Sequence, residues 1–150
     1  MLGRLQQRHE LTAFMDVHFT PMLINDLVDV LVELIELRVE GILHVAGSER
    51  LSKCDFARRL ADVYGLSTDL IRPISVEQHA FKARRPKDMS LSTQKGAQIL
   101  GRPMPGVVEG LRRLRELEEQ GWAGELAAAT LLKPSQRRWT PSGTEAEVAQ

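Results

Sequence analysis

Five basic side chains, Arg72, Lys82, Arg84, Arg85 and Lys87, fall within sixteen residues, most of them in a stretch broken by Pro86. Guanidinium forks match the oxygens of a diphosphate, and a loop can gather several at one cleft. This is the chain's candidate anion site. A solvated basic surface is the alternative that spacing alone leaves open.

Other chemistry is harder to find. Carbonyl reduction commonly uses a tyrosine that donates a proton while a lysine four residues later lowers its pKa. The only tyrosine is Tyr64, and the residue four positions on is Thr68. None of the eleven glycines has the G-x-G-x-x-G spacing that lets a strand–helix turn approach a dinucleotide. Gly96 and Gly101 have the spacing of a phosphate loop, but Arg102-Pro103 follows where lysine and a hydroxyl residue are needed. His9, His18, His44 and His79 show no paired metal-ligand spacing. Cys54 falls in the first turn of a predicted helix and reads as a partly buried, inert thiol. The sequence thus predicts no catalytic, cofactor-binding or metal-binding residue.

The elements that must position the basic loop are α and β in alternation. Leu11–Met15 is a strand candidate, and Pro21 keeps Thr20 extended. A helix capped by Asn25 or Asp26 runs from Leu27 to Leu37, with an apolar side wide enough to be largely buried, and Gly41 stops it. Ile42–Ala46, bracketed by Gly41 and Gly47, predicts a strand of a parallel sheet covered on both faces. Ser52 caps a helix whose buried stripe is Phe56, Leu60, Val63 and Tyr64, with Arg58 and Arg59 outward. Leu70–Ser75 is extended, and Ser75 to Gln78 reads as a capping box. Residues 82–91 form a loop. A short helix capped by Ser92 and weakened by Gly96 ends at Gly101, and a last helix spans Val107 to Glu119 with Glu109/Arg113 paired on its wet side.

Hydrophobic residues at 43% and charged residues at 27% describe a soluble globular chain, and 150 residues suffice for one domain. Twenty basic groups balance twenty acidic ones, so no global field draws the protein to nucleic acid. No apolar run approaches the roughly 20 residues that span a bilayer. A lone cysteine and no signal-peptide core point to the cytoplasm. Residues 1–121 are expected to fold, and 122–150 to form a disordered tail.

The succession Phe19-Thr20-Pro21, Asp26-Leu27-Val28, Gly41-Ile-Leu-His-Val-Ala-Gly47-Ser48-Glu49, Leu51-Ser52, Phe56-Ala57 and Arg85-Pro86-Lys87-Asp88-Met89-Ser90-Leu91 resembles the C-terminal half of dTDP-4-dehydrorhamnose reductase-like proteins. These are extended short-chain dehydrogenases, and the likeness runs from about residue 8 to about residue 119. It implies an α/β fold: the C-terminal part of a Rossmann-like unit, mostly helical with a few short strands. The family's other half carries NAD(P) and the Tyr/Lys pair, and the process is dTDP-rhamnose biosynthesis. This chain would then bind no cofactor alone. Its partner would be a nucleotide-diphosphate sugar, held by Arg85 and Arg84 beside Thr20 and Pro21.

Two consequences are expected. The chain is a substrate-side fragment without turnover, or a non-catalytic binding subunit like the regulatory subunit of methionine adenosyltransferase, which resembles the same family. If Ile42–Ala46 is a sheet strand, its neighbours come from a missing N-terminal half or from self-association, and the isolated chain is marginally stable or oligomeric.

Overall fold

The computed structural model describes residues 1–83, 85–122 and 124. Its chain divides into a unit over Met1–Glu116 and a second over Leu117–Gln150. The expected tail lies, apart from residues 122 and 124, outside the described residues.

Two strands distant in sequence form the centre of the first unit. β1 (Leu11–Phe14) pairs in parallel with β4 (Ile71–Ile74), Leu11 opposite Ile71 and Phe14 opposite Ile74. Along β1, Leu11 and Ala13 are buried and Thr12 is exposed, the period-two pattern of a half-covered strand. A second sheet has β2 (His18–Phe19) at its centre, antiparallel to β3 (Leu51–Ser52) and parallel to β5 (Asp88–Met89). The helices among the described residues are α1 (Leu2–Gln6), α2 (Ile24–Glu36), α3 (Lys53–Val63), α4 (Gln94–Leu100) and α5 (Val107–Glu119). Mixed α/β with short strands is thus what the residues build.

α3 starts where Ser52 predicts it. The Ser52 hydroxyl accepts from the Asp55 amide at 3.0 Å and donates to the Asp55 carboxylate at 2.7 Å. Its innermost face differs from the expected stripe, because Cys54, Ala57 and Ala61 lie against Leu5, Leu11, Ala13 and Ile71. Small side chains allow the helix to sit close on the strand pair. Phe56, Val63 and Tyr64 are only partly buried, on the side that meets α5 through Leu60, Val107 and Leu111. Arg59 turns back to bind Glu49 rather than facing water alone.

Cys54 is 1% exposed, and burial pushes its thiol above the ordinary cysteine range. A disulfide reagent such as dithionitrobenzoate is expected to label it only as fast as the fold opens. Labelling at the rate of a free thiol in native buffer would show the packing around α3 to be wrong.

Several expectations are corrected by the coordinates. The polar lead is in fact α1, which seats Leu5 in the core at 1% exposure, because Leu2 and Leu5 share one face of a single turn. α2 begins at Ile24 with Leu23 as its uncapped N-terminal neighbour. Asp26, expected as a cap, is instead a buried carboxylate that binds Arg113 of α5, which also reaches Asp29 at 2.7 Å. Arg113 therefore does not pair with Glu109, whose carboxylate accepts from the Gly106 amide at 3.1 Å. The helix stops at Leu37, and Arg38 takes a left-handed φ of 52° before Gly41 is reached. Within residues 82–91, Asp88–Met89 is a strand, fixed beside β2 by the 2.8 Å ion pair of Asp88 with Arg50 of the loop before β3. α4 takes Thr93, not Ser92, as its N-terminal neighbour, and Gly101 closes it at φ 64°.

The largest correction concerns Ile42–Ala46, which joins neither sheet. Its side chains still alternate: Ile42 and His44 point outward, while Leu43 and Val45 pack on Val30, Leu34 and Met104. An apolar, glycine-bracketed run specifies which side chains go inward, but a strand also needs a neighbouring backbone, and no described residue presents one. The same incompleteness marks α2. Val30 and Leu34 are buried, yet Ile24, Val28, Leu31, Val32 and Ile35 remain exposed, so the apolar side of this helix is not largely buried as expected.

Glu49 connects the elements around α5. Its carboxylate accepts from Arg59 and, at 3.0 Å, from the Val107 amide in the first turn of α5. The Arg59 guanidinium, then the Val107 amide, hold it below the usual glutamate pKa. A carboxylate depressed in the folded state adds stability above its unfolded pKa, and that contribution fades as pH falls through the folded value. Acid titration from about pH 5 downward is therefore expected to weaken the fold less steeply in Glu49→Gln than in the parent; identical slopes in urea melts would remove Glu49 from the account.

Candidate functional site

Beyond β4 the chain turns at Ser75. The Ser75 amide donates to the Gln78 side chain at 2.9 Å and the Ser75 hydroxyl caps the short 3-10 turn Val76–Gln78, which is the capping box read from the sequence. Asp16, just past the end of β1, anchors this turn. It accepts from the Ser75 hydroxyl at 2.6 Å and from the Val76 amide at 2.8 Å, and these bonds hold its carboxyl below the ordinary aspartate range.

The turn and the basic loop enclose a cleft of about 700 Å³ lined by Val76, Glu77, His79, Phe81, Arg85 and Lys87, among others. A volume of this order suits a nucleotide-sized ligand. Lys87 is already engaged: its ammonium bonds Glu77 at 2.5 Å and lies 3.6 Å from Asp16, and the Glu77 bond raises its pKa. Arg85 makes no ion pair with another described residue, and its guanidinium lies 5.6 Å from the centre of the Phe81 ring. The charge this loop offers to a ligand is therefore that of Arg85 more than that of Lys87, whose charge is already balanced.

Two rings, His79 and Phe81, belong to the lining. His79 and Phe81 meet edge to face with centroids 4.5 Å apart, and Phe14 of β1 supports both, at 5.9 and 5.8 Å. Sequence reasoning missed these residues. The available signal was compositional: the chain has four phenylalanines, and one of them stands immediately before the basic loop.

Arg72, Thr20 and Pro21 go elsewhere. Arg72 bonds Glu10 at 2.8 Å on the exposed edge of the strand pair, so it is not part of the cleft. Arg84 lies outside the described residues. Thr20 lends its hydroxyl oxygen to the Leu91 amide at 3.2 Å and so holds the chain leaving the loop. Pro21 lines a different, apolar cleft of about 220 Å³ with Ile24, Phe56, Val107, Leu111 and Leu114. Among the described residues no group of His, Cys, Asp or Glu is arranged to hold a metal ion, and no helix is long and apolar enough to cross a membrane.

Comparison with known proteins places this geometry. Residues 1–118 match the model of the RmlD substrate binding domain. A dTDP-4-dehydrorhamnose reductase of Mycolicibacterium smegmatis (strain ATCC 700084 / mc(2)155) is 32% identical over 112 residues, which are 74% of this chain and 32% of that protein. Among solved structures, the dTDP-4-dehydrorhamnose reductase of Bacillus anthracis in complex with NADP superposes with a TM-score of 0.66 at 25% identity, over 75% of this chain and 40% of that one. The reductase ortholog of Clostridium acetobutylicum gives 0.69 at 23% identity, over 79% and 42%. The chain thus spans about a third of the curated relative and about two fifths of the solved ones. The α/β class expected from the resemblance is that of these Rossmann-like reductases, and the chain belongs to the RmlD substrate binding domain family of dTDP-4-dehydrorhamnose reductase-like proteins.

Proposed function

We propose that residues 1–121 supply the nucleotide-diphosphate-sugar side of an NAD(P)-dependent reductase of the dTDP-4-dehydrorhamnose type, and that these 150 residues do not turn over substrate alone. The observation that carries this is the cleft lined by Arg85, which makes no ion pair with another described residue, in a chain matching the substrate-binding domain. Arg85 holds the diphosphate, with Arg84 beside it in sequence, and Thr20, followed by Pro21, acts indirectly: its hydroxyl ties the chain just past β2 to the Leu91 amide just past β5.

The residues present do not fit a nicotinamide cofactor. The glycine spacing is lacking, and Tyr64, without a lysine four residues on, packs between α3 and α5. Hydride and proton donors are thus assigned to a cofactor-binding half, and the exposed apolar row on α2 with Ile42 is where that half docks. Relatives in which this chain spans about two fifths of the length have the remaining residues with which to cover it.

The test is oxidation of NADPH with dTDP-4-dehydrorhamnose as acceptor. Purified chain alone is expected to give none, and chain mixed with the separately produced cofactor-binding half of the M. smegmatis relative is expected to give a measurable rate. Turnover by the 150-residue protein alone overturns the proposal. The second reading, a binding subunit without redox work, rests on the same apolar row; a stable complex that leaves NADPH untouched favours it.

A further inference from the structure

We propose that Arg50 and Thr20 are positioning residues that tie residues 42–46, whose Ile42 belongs to the docking face, to the loop carrying Arg85, so that capture of the cofactor-binding half and binding of a diphosphate strengthen each other. This coupling rests on that docking face and on the assignment of Arg85 as its two ends, and it adds the connection between them.

The chain that follows residues 42–46 holds the end of the basic loop by two routes. Gly47 makes the first: its amide donates to the Thr20 carbonyl at 3.4 Å, and the Thr20 hydroxyl accepts from the Leu91 amide at 3.2 Å. Arg50 makes the second, donating through Nε and Nη2 to one Asp88 oxygen at 3.1 and 2.8 Å. The other Asp88 oxygen accepts from the Ser90 amide at 3.0 Å and the Ser90 hydroxyl at 2.6 Å, so the same carboxylate fixes the chain over residues 88–90. Asp88 stands three residues after Arg85. Residues 42–46 join neither sheet, and a partner that supplies the missing backbone neighbour gives them a second, paired arrangement. Pairing them fixes Gly47 and Arg50, and through these the loop end over residues 88–91, so less ordering of the Arg85 loop is left when the anion arrives. The effect runs equally in reverse, because coupling between two binding events is reciprocal. The Arg50 and Asp88 side chains are about half exposed, and such an ion pair adds little to stability, so loss of Arg50 is expected to show in the coupling rather than in the melt.

The experiment measures by calorimetry the affinity of the full chain for inorganic pyrophosphate, with and without a saturating amount of the cofactor-binding half of the M. smegmatis relative, and with that half alone as the blank. In the parent the half is expected to tighten pyrophosphate about fivefold. Arg50→Met and Thr20→Val are each expected to bring that factor close to one, and Arg50→Met to leave the affinity of the isolated chain for pyrophosphate unchanged. A merely structural role for Arg50 weakens pyrophosphate in the isolated chain and in the mixture alike, and that result overturns the coupling. A factor that survives Arg50→Met overturns it too, since the half then touches the anion itself, and so does a parent factor of one. Should Arg50→Met fail to fold, the factor in Thr20→Val decides. A parent chain that does not capture the half overturns the docking face, and one that binds no pyrophosphate at millimolar concentration overturns the Arg85 assignment; the coupling falls with either.

Discussion

Gly47→Ala is expected to destabilise the protein by about 3 kcal/mol, read as a fall in the urea midpoint. A Cβ at this position would lie 1.9 Å from the Pro21 carbonyl oxygen and 2.9 Å from its carbon, and both are backbone atoms. The Gly47 amide also donates to the Thr20 carbonyl, at 3.4 Å, so the two segments cannot separate without giving up that bond. Gly96→Ala is the control. There the new methyl would meet the terminal carbon of Met104 at 2.3 Å, the far end of a flexible side chain, and the helix gains about 1 kcal/mol of intrinsic propensity. Its net change is expected to stay within about 1 kcal/mol. Equal losses at the two glycines would show that the close approach of Gly47 to Pro21 is not what glycine serves there.

The second large effect concerns recognition. Val28→Lys combined with Ile35→Lys is expected to leave the circular dichroism spectrum and melting of the isolated chain nearly unchanged. It is expected to weaken capture of the cofactor-binding half by more than about tenfold. The two side chains are 51% and 74% exposed, so no core contact is lost, and lysine is itself a good helix former. Buried ammonium groups without partners would oppose an apolar docking face. Undiminished capture would move the docking surface off α2. If the parent chain sediments as a dimer and the double variant as a monomer, with no effect on capture, the row serves self-association instead.

What could be read beforehand was what local chemistry decides. Ser52 before Asp55, Ser75 before Gln78 and glycine at 101 each act within one turn, and the helices and turns they bound are where the sequence puts them. Long-range partnerships were not legible in the same way. Asp26 has the side chain of a cap, but Arg113 claims it from the far end of the unit, and only packing α5 on α2 could reveal that. Gly96 reads as a defect in a short helix, whereas in the fold it makes room for Met104. The strand expected at Ile42–Ala46 failed because pattern reports a residue's inward or outward direction and says nothing of available neighbours. In the cleft, the basic loop was visible as charge, so Arg85 could be singled out. The ring cluster was not, since Phe14 joins Phe81 only after β1 has found β4.

That last pairing has a kinetic cost. Leu11 sits opposite Ile71, so the central strand pair closes a loop of about sixty residues, with no hairpin to guide it. α2 and α3 are each held by local bonds and can form early, but the cluster of Leu11, Ala13, Cys54, Ala57 and Ile71 is incomplete until β4 arrives. High contact order of this kind sets refolding in milliseconds to seconds rather than microseconds. During synthesis a ribosome must release the chain past Ile74 before the strand pair can close, and until then the inner face of α3 lacks Ile71 and stays partly wet.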